Sequence, residues 1–231
     1  MIEPRLQEAA PSPHRLFIYG KPKVGKTTAI AALPKHLIID TEIKGTKDGV
    51  PVGGTSFCTG AYSVIVGDLP TLREVHKYIT AQQDKFDFIV IDTIDHIEAW
   101  VTEEICAKHR VQSIGDLPHG KGWAMARNQT IAVVETFAKI ANKLIIVGHQ
   151  KDGHGEEQIE VEKVALTGKL KTHLCSIMDG VGRITRNAEG KLMIDFRTGQ
   201  NTDAGCRIPR LANQLMELNW SEIYPDLIKN N

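Results

Sequence analysis

The 231-residue chain has no CxxC pair: its four cysteines, Cys58, Cys106, Cys175 and Cys206, are scattered. Such spacing supplies neither a disulfide framework nor a zinc site, so reduced thiols are expected. His149, His154 and His173 are no better arranged for a metal, because no H-E-x-x-H or Cys/His knuckle is present. No apolar run approaches the roughly 20 residues that cross a bilayer, which argues against a membrane role. The first fifteen residues, MIEPRLQEAAPSPHR, lack the apolar core and small-residue cleavage site of a secretory signal, and a cytoplasmic location is expected. Charge of one sign is lacking too, since 28 Lys and Arg balance 28 Asp and Glu. Any nucleic-acid contact must then come from local basic loops rather than from a globally attractive field.

What is present is ordinary for a soluble globular protein: 42% hydrophobic and 24% charged residues, without internal repeats. The length suits one domain, expected over residues 15–231 behind an N-terminal arm of residues 1–14. Apolar strand-like runs alternate with helical patterns, which implies an α/β fold built on a mainly parallel sheet flanked by helices. The strand runs are RLFIY (15–19), HLIID (36–40), FDFIVID (86–92) and KLIIVG (143–148), with AYSVIVG (61–67) a further candidate whose pairing stays open. Helical spacing covers 26–33, which Pro34 ends, then 69–83, 94–109 and 123–142. The stretches 41–60, 110–122 and 151–167 break periodicity and are expected to be irregular. The remainder reads as a short helix, a C-terminal antiparallel hairpin turning at Asn187–Gly190, and a closing helix.

One segment carries a specific chemistry. GKPKVGKT, that is Gly20, Lys21, Pro22, Lys23, Val24, Gly25, Lys26 and Thr27, followed by Thr28, satisfies GxxxxGK[ST] between a buried strand and a helix. Its glycines let successive N–H groups wrap around phosphates, and the helix start adds positive potential. Lys26 reaches the outer phosphates and Thr27 offers a hydroxyl to magnesium. Nucleoside triphosphate binding, with ATP and Mg2+ as cofactors, is the reading. Asp92 ends the run FIVI and holds a carboxylate close to the magnesium shell, directly or through water. Glu42, just past LIID, could orient and deprotonate an attacking water, whereas Asp40 inside the apolar run reads as structural. His149 and Gln150 follow LIIVG, where a polar side chain could sense the outermost phosphate, Gln150 also being a catalytic candidate. All of these sit at carboxyl ends of expected parallel strands, where such sheets bind ligands.

Two basic segments could touch a polymer: Arg110, His119 and Lys121 with Trp123 beside them, and Lys151 and Lys163 among glycines and acids. Cations with an aromatic suit single-stranded nucleic acid, although Glu156, Glu157, Glu160 and Glu162 offset the second group. Arg197, Arg207 and Arg210 could reach a neighbouring subunit's phosphates or simply pair at the surface.

In the order GKPKVGKT, LIIDTE, FIVIDT, IGDLPHGKGW, LIIVGHQ, LTGKLKTHLCSIMDGVGRITR and GCRIPR, the chain resembles the RecA/RadA recombinase core. It resembles more closely the minimal phage-encoded RecA-like ATPases that act in single-strand annealing, over Leu16 to Arg210. The resemblance implies a RecA-like P-loop NTPase core that hydrolyses ATP, with Glu42 as general base and Gln150 or His149 as the switch. Residues 110–122 and 151–167 would match the two DNA-binding loops, and Arg207 would be the trans-acting cation. Single-stranded DNA is the implied partner, with a homo-oligomer or filament and a single-strand-binding protein as further ones. The short segment before Leu16 is expected to leave no room for a separate oligomerisation domain. Two alternatives stand beside this reading: a P-loop kinase of a small molecule, and a non-hydrolysing nucleotide-dependent interaction module.

Overall fold

The computed structural model describes residues 8–82, 85–154 and 160–228. The first half of the arm, Gln83 at the expected helix end, and Glu156 and Glu157 lie outside the described residues. In chain order the elements that place the site are β1 (Arg15–Gly20), α1 (Lys26–Ile30), β2 (His36–Asp40), β3 (Gly45–Lys47), β4 (Val50–Val52) and β5 (Ser63–Ile65). There follow α2 (Leu69–Thr80), β6 (Phe88–Asp92), α3 (Ile94–His109), α4 (Lys121–Ile140), β7 (Lys143–His154), β8 (Glu160–Val164) and α5 (Gly168–Ile177). The chain closes with β9 (Gly180–Arg186), β10 (Leu192–Asp195), β11 (Gly205–Cys206), β12 (Leu215–Glu217) and α6 (Trp220–Ile223).

One sheet runs in the order β12-β10-β9-β1-β7-β6-β2-β5, with β11 beside β9 and β8 beside β7. From β9 to β5 every pairing is parallel, while β8, β10, β11 and β12 pair antiparallel. The sequence explains why the middle is parallel and covered on both faces. Every residue of β6, FIVID, is buried. Phe88 and Val90 pack with Leu16 and Ile18 on one face, and Ile89 and Ile91 with Phe17 and Tyr19 on the other. Continuous apolar strands of this kind need helices on each side. On one face α3 presents Ile94, Ile97, Val101 and Ile105, a stripe at helical spacing, joined by α2, α4 and α5. The other face is closed by Ile30 of α1 and by Trp220, Ile223 and Tyr224. Trp220 also donates its indole N–H to the Ala29 carbonyl at 2.8 Å, fastening the C-terminal turn to the helix after the glycine loop.

Three stretches differ from the periodicity reading. Within 41–60, β3 and β4 form a hairpin whose two-residue loop, Asp48-Gly49, takes left-handed φ values of 53° and 78°. Asp-Gly is a hairpin signal in its own right, overlooked because the flanking strands are three residues long and exposed. Within 151–167, β7 runs on to His154 and pairs with β8, Gln150 opposite Val164 and Lys151 opposite Lys163. Burial of Val164 anchors that hairpin where charge suggested a loop. The closing helix is a single turn, α6, preceded by β12. The turn at Asn187–Gly190 falls where expected, with Gly190 at φ 78°. No helix of the described residues is long and apolar enough to cross a membrane.

Candidate functional site

The sheet order decides which side chains meet. β7 lies between β1 and β6, with Gly20 in register with His149 and Asp92 in register with Val147. The carboxyl ends of β1, β6 and β2, and β7 at His149 where its parallel pairing ends, therefore open into one cleft of about 370 Å³. It is lined by the glycine loop from Pro22 to Thr28, Glu42, Asp92 and His149, together with Lys44 and Phe57.

Two glycines make the loop possible. A Cβ on Gly20 would sit 2.6 Å from the Ile184 carbonyl oxygen of β9, and Gly25 adopts φ 115°. Lys26 is buried, and its ammonium donates to the carbonyls of Gly20 at 2.9 Å and Lys21 at 3.0 Å. Burial lowers its pKa, opposed by the negative charges of Asp92, Glu42 and Asp95. Arg186, at the end of β9, braces the loop from outside by donating to the Val24 carbonyl at 3.0 Å.

Thr27 donates its hydroxyl to Asp92 Oδ2 at 2.8 Å. Asp92 is 3% exposed, and burial pushes its pKa up to about 6 against the Thr27 hydrogen bond, with the charges of Glu42 and Asp40 adding to the rise. A buried carboxylate beside a hydroxyl, destabilised by neighbouring acids, suits a hard divalent cation with oxygen ligands. Thr27 and Asp92 fit magnesium, which when bound neutralises charge on phosphate oxygens.

Asp40 and Glu42, two residues apart, do different work. Asp40 is 1% exposed and accepts from the Thr55 N–H at 2.8 Å, the Thr55 hydroxyl at 2.6 Å and the Glu42 N–H at 3.0 Å. It thus pins the turn at Gly54–Phe57 and aims the backbone of Glu42. The Glu42 carboxylate enters the cleft, 2.7 Å from Lys44 Nζ and 3.5 Å from His149 Nε2. The other ring nitrogen of His149 lies 3.3 Å from Asp95 Oδ2 on α3. These are ion pairs more than aligned hydrogen bonds, and Asp95 Oδ2 is buried without an aligned donor. Held first by Asp95 and then by Glu42, His149 has its pKa pushed up to about 9. In turn His149, followed by Lys44, draws Glu42 down to about 2. A carboxylate so low is a weak base. Its basicity would rise if His149 and Lys44 were drawn away from it.

The strand alternation separates the His149–Gln150 pair. His149 lines the cleft, whereas Gln150 faces the other way and donates to Asp152, whose carboxylate pairs with Lys21 at 3.1 Å. Of the two, only His149 faces the cleft, and Gln150 touches the glycine loop through Asp152. Alternation also sorts the charges of the β7–β8 hairpin. Lys151 and Lys163 oppose each other on one face, and Asp152 and Glu162 on the other, where Glu162 is paired by Arg183.

Arg110 caps α3 in a left-handed conformation, His119 lies in a turn at φ 56°, and Lys121 begins α4; all three are exposed. Arg207 donates to the Ser176 carbonyl at 2.6 Å and lies beside the amino end of β9, away from the cleft. Arg197 pairs with Asp195, and Arg210 is spent on the carbonyls of Pro11, Glu222 and Ile223. Sequence reasoning missed Lys44, Asp95, Phe57 and Arg186. Asp95 had a legible signal, an acid in the first turn of the helix after Asp92; the others come from chain reversals that periodicity does not reveal.

A glycine loop after β1, an acid ending a β6 set apart from it by β7, and polar residues beside them on β7 and after β2 define a P-loop nucleoside triphosphatase fold. Residues 12–208 match the family described as an AAA domain, and the chain belongs to that family. Among solved structures it is similar to a prototypical ATPase from the type III secretion system of pathogenic bacteria, at 14% identity and a TM-score of 0.44. That match covers 81% of this chain and 61% of the other, so the chain spans about three fifths of the length of that structure. No curated protein matches it.

Proposed function

We propose that this protein is an ATPase that couples its nucleotide state to single-stranded DNA in phage or bacterial recombination or annealing. The observation that carries the hydrolytic half is the convergence of Lys26, Thr27, Asp92, Glu42 and His149 on one cleft. Lys26 and the loop amides hold the triphosphate, and Thr27 and Asp92 supply magnesium ligands. Glu42 takes the proton of the attacking water once His149 has swung to the outermost phosphate. The DNA half is supported by the exposure of Arg110, His119, Lys121 and Trp123 and by the pairing of Lys151 with Lys163 across the β7–β8 hairpin. Arg207 remains the candidate for a cation supplied to a neighbouring copy in a homo-oligomer or filament, and a single-strand-binding protein is a further partner.

ATP turnover of wild type and Glu42→Gln, with and without single-stranded DNA, tests both halves. Hydrolysis should fall at least about 100-fold in the variant while ATP binding persists. DNA should stimulate the wild type, with binding that weakens steeply as salt rises. Absence of turnover in the wild type would point instead to a non-hydrolysing interaction module.

A further inference from the structure

A second concavity is separate from the nucleotide cleft. It holds about 680 Å³ between the start of α4 and the start of α5, and Trp123, His119, Arg127, Lys169, Thr167 and Glu98 of α3 line it. Trp123 is 48% exposed, belongs to neither core cluster, and has no aromatic partner among the described residues. About half of its surface therefore stays open, where packing usually covers so large an apolar side chain. Arg127 lies one helical turn further along α4, on the same side as Trp123. Arg127 and Lys169 bring two permanent positive charges to the lining, against one carboxylate, Glu98. Burial raises the pKa of that carboxylate, which weakens its opposition to an anionic ligand.

An open aromatic face flanked by guanidinium and ammonium groups matches a nucleobase together with the phosphates on either side of it. A purely apolar peptide would find no partner for those cations, and an acidic peptide would leave the indole unused. The pocket also touches the nucleotide cleft through α3. Asp95, in its first turn, holds His149, and Glu98, one turn later, forms a wall of the pocket together with Thr167 at the start of α5.

We infer that the Trp123 pocket is a base-stacking subsite for single-stranded nucleic acid, with Arg127 and Lys169 receiving the flanking phosphates. The inference rests on the DNA-coupled reading of the protein and gives it a place.

The test is binding of a fluorescently labelled oligothymidylate to wild type, Trp123→Ala, Trp123→Phe and Arg127→Ala, each checked for folding by thermal melting. Trp123→Ala should weaken binding about 10-fold and Trp123→Phe by less than about 3-fold, because a phenyl ring still stacks. Arg127→Ala should reduce the slope of log affinity against log salt by roughly one phosphate contact. Basal ATP turnover should stay within about 2-fold for all three, none of which lines the cleft. If wild type binds DNA and all three variants bind equally well, the subsite is refuted while the DNA-coupled reading stands. If wild type binds no single-stranded DNA, both fail together. A loss of self-association in Trp123→Ala with DNA affinity intact would also overturn the assignment, making the pocket a contact between copies.

Discussion

Replacing His149 by Gln removes a cation held between two carboxylates, and the structure gives both the size and the pH signature of the loss. The ring is about a quarter exposed, 3.5 Å from Glu42 and 3.3 Å from Asp95, and its pKa is pushed up to about 9 from 6.5. Converted at about 1.4 kcal/mol per pKa unit, that is roughly 3 kcal/mol in favour of imidazolium in the folded state, which solvent screening reduces to about 1–2 kcal/mol. The folded pKa lies above the unfolded one, so the contribution is complete below pH 6.5 and is lost as pH rises through 9. Glu42, drawn down to about 2, reports the same pair from the acid side: its share is present above pH 4.5 and lost toward pH 2, and the two are not added together. For a chain of this size 1 kcal/mol is worth about 2–4 °C in Tm. Melting curves from pH 5.5 to 10 should therefore show His149→Gln about 3–6 °C less stable at pH 6 and level with wild type above pH 9.5. A deficit of the same size at every pH would mean that the ring acts by packing, and no deficit at pH 6 would mean that it carries no charge between the two acids.

Asp40→Ala deletes three hydrogen bonds from a fully buried carboxylate, so chemical denaturation should show a loss of about 2–4 kcal/mol, whereas Glu42→Ala should cost under about 1 kcal/mol. Equal costs would contradict the division of labour drawn between them. Asp92→Asn should keep the fold but abolish the magnesium-dependent part of the thermal stabilisation that ATP confers, and a variant still stabilised by magnesium-ATP as strongly as wild type would remove Asp92 from the cation's shell. Phe57 is 76% exposed at the cleft rim, and Phe57→Ala should weaken ATP binding several-fold with little change in the affinity for inorganic triphosphate, as measured by titration calorimetry. An equal loss for both ligands would show that Phe57 does not meet the base.

The sequence alone determined the glycine loop, because strand, GxxxxGKT and helix are contiguous and their chemistry is local. It determined the strand that delivers Asp92 too, since five buried residues ending in an acid have few other uses. It also separated Asp40 from Glu42, as a carboxylate inside an apolar run must find buried donors while one just beyond it need not. Tertiary structure decided what depends on pairing between distant segments. Placing β7 between β1 and β6 put His149 within reach of Glu42 and Asp95, and strand alternation turned Gln150 away, a distinction that adjacency in sequence conceals. Pairing of β7 with β8 sorted lysines from acids onto opposite faces, where composition showed only a mixture. The open face of Trp123 was likewise a tertiary outcome: whether an indole packs or stays free depends on which helices meet around it.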